Sequence, residues 1–113
     1  MVMSYVPDAG DIVFLDFDPQ VGREQARRRP ALVLTDMRYN RASGLAVVCP
    51  LTSKRKPYPF ALPATIGGTE GAVLVDQLKS MDWAGRGALF HSKAPAGLVT
   101  KVRQYIAVLL SIR

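Results

Sequence analysis

Three seven-residue runs dominate the first half of the chain: DIVFLDF from Asp11 to Phe17, PALVLTD from Pro30 to Asp36, and LAVVCPL from Leu45 to Leu51. Each is short and rich in branched or aromatic side chains, the pattern of a buried strand. Proline cannot donate to a sheet ladder, so Pro30 is expected at the first position of the second strand, and Pro50 marks an edge or a bulge near the end of the third. The segment DPQVGREQARRR between the first two runs is too charged for core and too long for a tight hairpin, and reads as a mobile loop. YNRASG reads as a turn ending at Gly44, FALPA as a short edge strand and GGTEG as a second turn. AVLVDQLKSMDW, Ala72 to Trp83, covers one bent strand or two short ones. From Pro95 onward the periodicity changes: Leu98, Val99, Val102, Tyr105, Ile106, Leu109 and Leu110 recur at spacings of three and four, as on an amphipathic helix. Ser92 or a neighbour is placed to cap that helix, with Pro95 in its first turn. Short strands followed by one terminal helix predict a mainly β fold, a small barrel with a helix packed on it.

With 113 residues, the chain is long enough for one sizeable core, and we read residues 1–113 as a single domain. No apolar run reaches the roughly 20 residues that span a bilayer, and no basic segment followed by an apolar stretch opens the chain, so a cytoplasmic protein without membrane association is expected. The single cysteine, Cys49, has no partner for an internal disulfide, and one histidine, His91, is too few for a transition-metal cluster. Chemistry without a metal or other cofactor is therefore expected. The 15 basic residues outnumber the 9 acidic ones, for a formal net charge of +6. Their distribution is uneven: six arginines lie between Arg23 and Arg41, and SKRK adds Lys54, Arg55 and Lys56. Two basic loops of this kind suit a polyanion, because each phosphate contact releases counterions. A solvated basic surface remains the competing explanation.

The segments YVPDAGDIVFLDFDPQVGREQARRRPALVL, MRYN, CPLTS, KPYPF and VDQLKSMDW, in this order and spacing, resemble the MazF/PemK family of toxin–antitoxin ribonucleases, and its MazF branch most of all. The resemblance runs from Met1 to the terminal helix. It implies a compact SH3-like β-barrel of the CcdB/PemK type, a homodimer that cleaves single-stranded RNA, chiefly messenger RNA, at a short sequence. It further implies metal-independent cleavage leaving a 2′,3′-cyclic phosphate and a 5′-hydroxyl, and a MazE-like antitoxin whose acidic segment covers the RNA site. Relatives in the MazF branch favour ACA triplets. The family's catalytic pair maps onto Arg29, the arginine before the proline of the second strand, and Thr52, the threonine after the third.

Chemistry supports those two residue types. Metal-free cleavage uses the neighbouring 2′-hydroxyl as nucleophile, so the protein must neutralise a phosphorane-like dianion and manage two protons. Arg29 offers a planar cation whose donors match phosphate oxygens, and Thr52 offers one further hydrogen bond. Arginine is a poor base, with a pKa above about 12. Glu24, the carboxylate on the same loop, is expected either to act as base or to orient Arg29; it can equally pair with Arg23, Arg27 or Arg28. His91 falls outside the matched segments and reads as a surface or helix-capping residue.

Further residues are candidates for RNA recognition. Phe17 ends the first strand and can either stack on an unpaired base or join the core. Tyr39, Asn40, Gln77 and Lys79 match family positions along the RNA groove. Lys54 and Lys56, with Arg55, supply backbone contacts, Arg27 and Arg28 raise the local potential, and Ser53 replaces a second threonine frequent in relatives, which tunes the site. Trp83 and Cys49 read as core. Two rival functions use the same chain: a noncatalytic toxin of this fold that binds DNA gyrase, and an RNA-binding module that leaves RNA intact.

Overall fold

The computed structural model describes residues 5–17, 28–54 and 59–113. Among these residues, seven strands and two α-helices follow in the order β1 (Asp11–Asp16), β2 (Arg28–Val33), α1 (Met37–Ser43), β3 (Leu45–Thr52), β4 (Ala61–Ile66), β5 (Thr69–Leu74), β6 (Lys79–Asp82), β7 (Leu89–Lys93) and α2 (Leu98–Leu109). The strands form one curled antiparallel sheet, a half-barrel, in the order β4-β5-β3-β2-β1-β7, with β6 paired to β3 off that path.

The first strands show no polar/apolar alternation because both faces of the sheet are covered. Alternate residues Ile12, Leu32, Cys49, Leu51 and Val73 face one cluster, which α2 closes with Leu98 and Val102. The intervening residues Val13, Leu15, Ala31, Val33 and Val48 face a second cluster, closed by Met81 with Tyr5, Trp83 and Ala88 at its margin. Burying a large aliphatic side chain contributes about 1.5–3 kcal/mol, so these two layers are the main stabilising element. Helix α2 is further tied to the sheet where Arg103 Nη2 donates to the carbonyl of Leu34 at 2.6 Å.

Pro50 lies in the most heavily paired strand, and the pairing pattern explains why it fits. The first half of β3, Leu45 to Val48, pairs with β6, and its end, Leu51 and Thr52, pairs with β5. Pro50 sits where β3 has left one neighbour and not yet joined the other, so that edge asks for no donor there. Pro30 is the third residue of β2 rather than its first, because the strand begins at Arg28; the recorded pairs to β3 start only at Ala31.

Four other expectations change. The segment read as a turn before Gly44 is the seven-residue helix α1, capped at one end by Asp36, whose side chain accepts from the Tyr39 N–H, and closed at the other by Gly44 at φ 77°. Only Gly67 and Gly68 form the turn between β4 and β5; both have positive φ, 56° and 83°, which a two-residue hairpin of this hand requires, and Thr69 to Gly71 already belong to β5. Strand β7 was not anticipated. Ser92 pairs with Ile12 inside β7 and does not cap α2, whose N-cap is Gly97 without a side-chain bond.

Candidate functional site

The end of β1 and the starts of β2 and β6 bring an aromatic ring and two cations together. Phe17 follows β1 and is 8% exposed, so it belongs mostly to the core. Above its ring sit the Arg29 guanidinium, 5.4 Å from the centroid, and the Lys79 ammonium at 5.7 Å. The ring is satisfied by these cations, each such contact being worth about 0.5–1 kcal/mol at an accessible position. Register places them: Leu15 pairs with Arg29 and Val48 with Lys79, so both cations project from the face that carries Val13, Leu15 and Val48.

Thr52 ends β3. The β2–β3 ladder pairs Ala31 with Pro50; continuing that register by two residues sets Arg29 opposite Thr52 and, by the two-residue period of side chains, on the same face. Thr52 Oγ1 accepts from the Lys54 N–H at 3.1 Å. Its backbone is held from the other side by β5: a Cβ on Gly71 would lie 2.1 Å from the Thr52 carbonyl oxygen, so only glycine permits this approach. Beside Thr52 opens a cleft of about 240 Å³, lined on its apolar side by Phe14 and Pro30 and on its polar side by Ser53, Glu70 and His91. Phe14 and Pro30 point away from the Arg29 face, so the cleft that Thr52 lines opens on the side of the sheet opposite the cationic patch.

The remaining candidates divide. Ser53, Lys54 and Gln77 are exposed, and Tyr39 is 44% exposed on α1. Glu24, Arg27 and Lys56 lie outside the described residues. Asn40 is corrected from a base reader to a core residue: it is fully buried, its amide donates to the carbonyls of Pro7 and Thr35, both at 2.8 Å, and its oxygen accepts from the Thr35 hydroxyl at 2.6 Å. Nothing of its amide is left for a nucleobase. Arg28 likewise makes its contacts within the chain, with Asp16, Phe14 and Gly87. His91 is on β7, its ring edge-to-face with Phe14 at 5.3 Å and its Nδ1 2.8 Å from Ser92 Oγ; it lines the cleft and caps no helix. Sequence reading missed the cleft because β7 carries no burial pattern: Leu89, Phe90 and His91 are all exposed. Cys49 is buried, and burial, with Asp76 nearby, pushes its thiol up to about 12, so it is a core side chain and no nucleophile. Trp83 is half-buried and donates from Nε1 to the Asn40 carbonyl at 3.0 Å. Among the described residues no three His, Cys, Asp or Glu side chains gather as a metal site, and no helix is long and apolar enough to cross a membrane.

The chain matches, over residues 8–110, the PemK-like, MazF-like toxins of type II toxin–antitoxin systems. It belongs to this family. It is 46% identical over 88 residues to the endoribonuclease toxin MazF of Escherichia coli K12, an alignment covering 78% of this chain and 79% of that one. Its fold superimposes on MazF from Deinococcus radiodurans with a TM-score of 0.85 at 45% identity, over 96% of this chain and all (100%) of the other. A MazE–MazF complex from the same organism gives 0.89 at 45% identity, over 97% and 100% of the two chains. The half-barrel with a terminal helix is therefore the MazF fold, and the cationic patch lies at its strand ends.

Proposed function

We propose that this MazF-family chain is an endoribonuclease toxin that cleaves single-stranded RNA, chiefly messenger RNA, without a metal, by attack of a 2′-hydroxyl on the adjacent phosphorus. The observation that carries the reading is the Arg29 guanidinium seated on Phe17 beside Lys79 at the strand ends; Thr52 is taken as the neighbouring hydroxyl because it lies two residues beyond the last β2–β3 pair, Ala31–Pro50. In that reading the ribose oxygen forms a bond to phosphorus, the 5′-oxygen leaves and takes up a proton, and the products carry a 2′,3′-cyclic phosphate and a 5′-hydroxyl. Arg29 and the Thr52 hydroxyl donate to the non-bridging oxygens as their charge grows, an electrostatic contribution that single-donor deletions in enzymes put at about 10²–10³ in rate. Glu24 is assigned as base or as the group that orients Arg29.

Around this centre, Lys79, Gln77, Tyr39, Ser53, Lys54, Arg27 and Lys56 are assigned to the RNA track, with ACA-type sites as the sequence cut. Phe17 acts as the seat of the two cations rather than as an open stacking platform, since the ring is largely buried. The partner is a MazE-like antitoxin, supported by the MazE–MazF complexes of the Deinococcus relative and by the positive patch that an acidic segment would cover. A homodimer is favoured by the apolar side chains a single protomer leaves in water, among them Leu89 at 62%, Phe90 at 48% and Val108 at 73% exposed. The working compartment is the cytoplasm, where messenger RNA is available.

The test is digestion of a long defined RNA in EDTA with mapping of both product ends, by the wild-type protein and by Arg29→Ala and Thr52→Ala. Cleavage with cyclic-phosphate ends, lost in both variants while they stay folded, is expected. Intact RNA retained on the protein supports a binding module instead, intact RNA with gyrase inhibition supports a gyrase poison, and wild-type rates in both variants remove Arg29 and Thr52 from the chemistry.

A further inference from the structure

Arg28 stands beside Arg29 in the arginine triplet, yet its guanidinium is turned back into the protein. Nη1 donates to Asp16 Oδ1 at 3.1 Å, and Nη2 donates to the carbonyls of Phe14 at 3.1 Å and Gly87 at 2.5 Å. Arg86 reaches the same place from the opposite side, its Nη1 donating to the carbonyls of Asp16 at 2.9 Å and Phe17 at 3.2 Å, while the Asp16 N–H donates to the Arg86 carbonyl at 3.0 Å. Both arginines thus bind one turn, residues 82–88, to the last residues of β1 and the first of β2. That turn is itself braced: the Gly85 N–H donates to Asp82 Oδ1 at 2.9 Å, the Arg86 N–H to the Asp82 carbonyl at 2.9 Å and the Ala88 N–H to the Trp83 carbonyl at 2.9 Å. Gly87 adopts φ 66°, and a Cβ there would come within 3.1 Å of Arg28 Nη1.

We propose that Arg28 and Arg86 are positioning residues that lock the end of β1 and the start of β2 to the 82–88 turn, fixing Phe17 and Arg29 relative to each other. The proposal rests on the reading of Arg29 as the phosphate-binding cation. Its physical basis is that recorded pairing to β3 stops at Ala31, so at Arg29 strand β2 has only β1 as a recorded ladder partner. A strand end held on one side frays. A displacement of about 1 Å at a reacting centre can cost on the order of 10² in rate. The half-exposed ion pair of Arg28 with Asp16, at 37% and 38% side-chain exposure, adds little stability by itself. What the fork adds is direction, because one planar group on β2 spans a carboxylate and a carbonyl of β1 and a carbonyl of the 82–88 turn.

The test compares Arg28→Lys, Asp16→Asn and the double variant, each checked for folding by urea denaturation. For cleavage of a short RNA, kcat is expected to fall about ten- to a hundredfold in each single variant, with KM and the salt dependence of KM unchanged within about twofold. The double variant is expected to be no worse than the weaker single, as for one shared interaction. Independently of RNA, the upfield ring-current shift that Phe17 imposes on the Arg29 side-chain NMR signals is expected to shrink in both single variants. An unchanged ring-current shift overturns the clamp. So does a result in which a further, charge-removing variant, Arg28→Gln, raises KM at constant kcat and lowers the salt slope by about one, or Asp16→Asn tightens RNA binding, because those mark a phosphate contact. Should the wild-type protein cleave no RNA, the functional reading fails, and the NMR shift alone still decides whether the clamp holds the two side chains.

Discussion

Asn40 separates structural from functional roles most sharply, because the family resemblance suggests a place along an RNA groove and the fold puts it in the interior. Replacing it with alanine removes three side-chain hydrogen bonds, to Pro7, to the Thr35 carbonyl and from the Thr35 hydroxyl. At about 1 kcal/mol each they account for about 3 kcal/mol, and the stranded carbonyls add about 1–3 kcal/mol of unmet desolvation. A net loss of about 4–6 kcal/mol is a large part of the 5–15 kcal/mol typical of a domain. With a urea m-value of about 2 kcal/mol/M, the midpoint should fall by roughly 2–3 M. Catalytic efficiency per folded molecule should stay within about twofold of wild type in the absence of urea. Asn40→Asp adds a signature: the new carboxyl is fully buried and faces two carbonyls, so its folded pKa lies above the unfolded value near 3.9. Stability is then retained below that value and lost as pH rises through the folded one. A variant with wild-type urea midpoint and altered cleavage would show that the side chain meets RNA and that the burial argument is wrong.

Gly71→Ala forces a Cβ to 2.1 Å from the Thr52 carbonyl; overpacking of this kind costs about 1–3 kcal/mol, and cleavage should drop by more than the lost folded fraction, as measured by activity at fixed occupancy of the native state. Tyr5 donates to buried Asp11 at 2.5 Å, and burial first, then that bond, raises the phenol above its usual value; Lys93, bonded to the same carboxylate at 2.8 Å, is raised as well. Raised folded values mean full stability below about pH 10 and loss above it, at most about 1.4 kcal/mol per pH unit for the Tyr5 proton and much less for the solvent-screened Lys93, so urea midpoints at pH 8, 10 and 11 should decline less steeply for Tyr5→Phe; an identical decline would exclude the Tyr5 contribution. Cys49, buried with its thiol pushed up to about 12, should be alkylated by iodoacetamide only at the rate of global opening, and fast reaction under native conditions would contradict its place in the core.

The sequence made legible whatever is written in a continuous local pattern. The first three strands are plain in their branched residues, and α2 in the three-and-four spacing of Leu98, Val102 and Tyr105. Helix α1 was legible in principle, since Asp36 and Gly44 are its caps, but seven residues around a buried asparagine give no apolar stripe. Strand β7 was not legible, because its membership depends on pairing with β1 and its outward residues include Leu89, Phe90 and His91. For the site, the pattern of the family picks out Arg29 and Thr52, but residue type cannot tell a cation seated on an aromatic ring from one bonded to carbonyls. Arg28 and Arg29 are chemically identical neighbours, and the two-residue period of the strand sends one to Asp16 and Gly87 and the other to Phe17.

The location of the site follows from the same burial that makes the strands easy to read. A sheet covered on both faces has no surface on which a polar side chain can meet a polyanion, so functional groups must emerge where strands end or change partners. Arg29 emerges where β2 loses β3, Lys79 at the first residue of β6, and Thr52 at the last residue of β3, where β5 has replaced β6 as neighbour. Strand ends are also where backbone order is weakest, and that conflict gives the 82–88 turn its importance. Extending the sheet past Arg29 would bury the cation, whereas tying its flanks with Arg28 and Arg86 leaves it accessible and still fixed. By this reasoning, a substitution that loosens the turn, such as Gly85→Ala, whose Cβ would lie 2.4 Å from Asp82 Oδ2, should lower activity through Arg29 without touching any residue of the cationic patch.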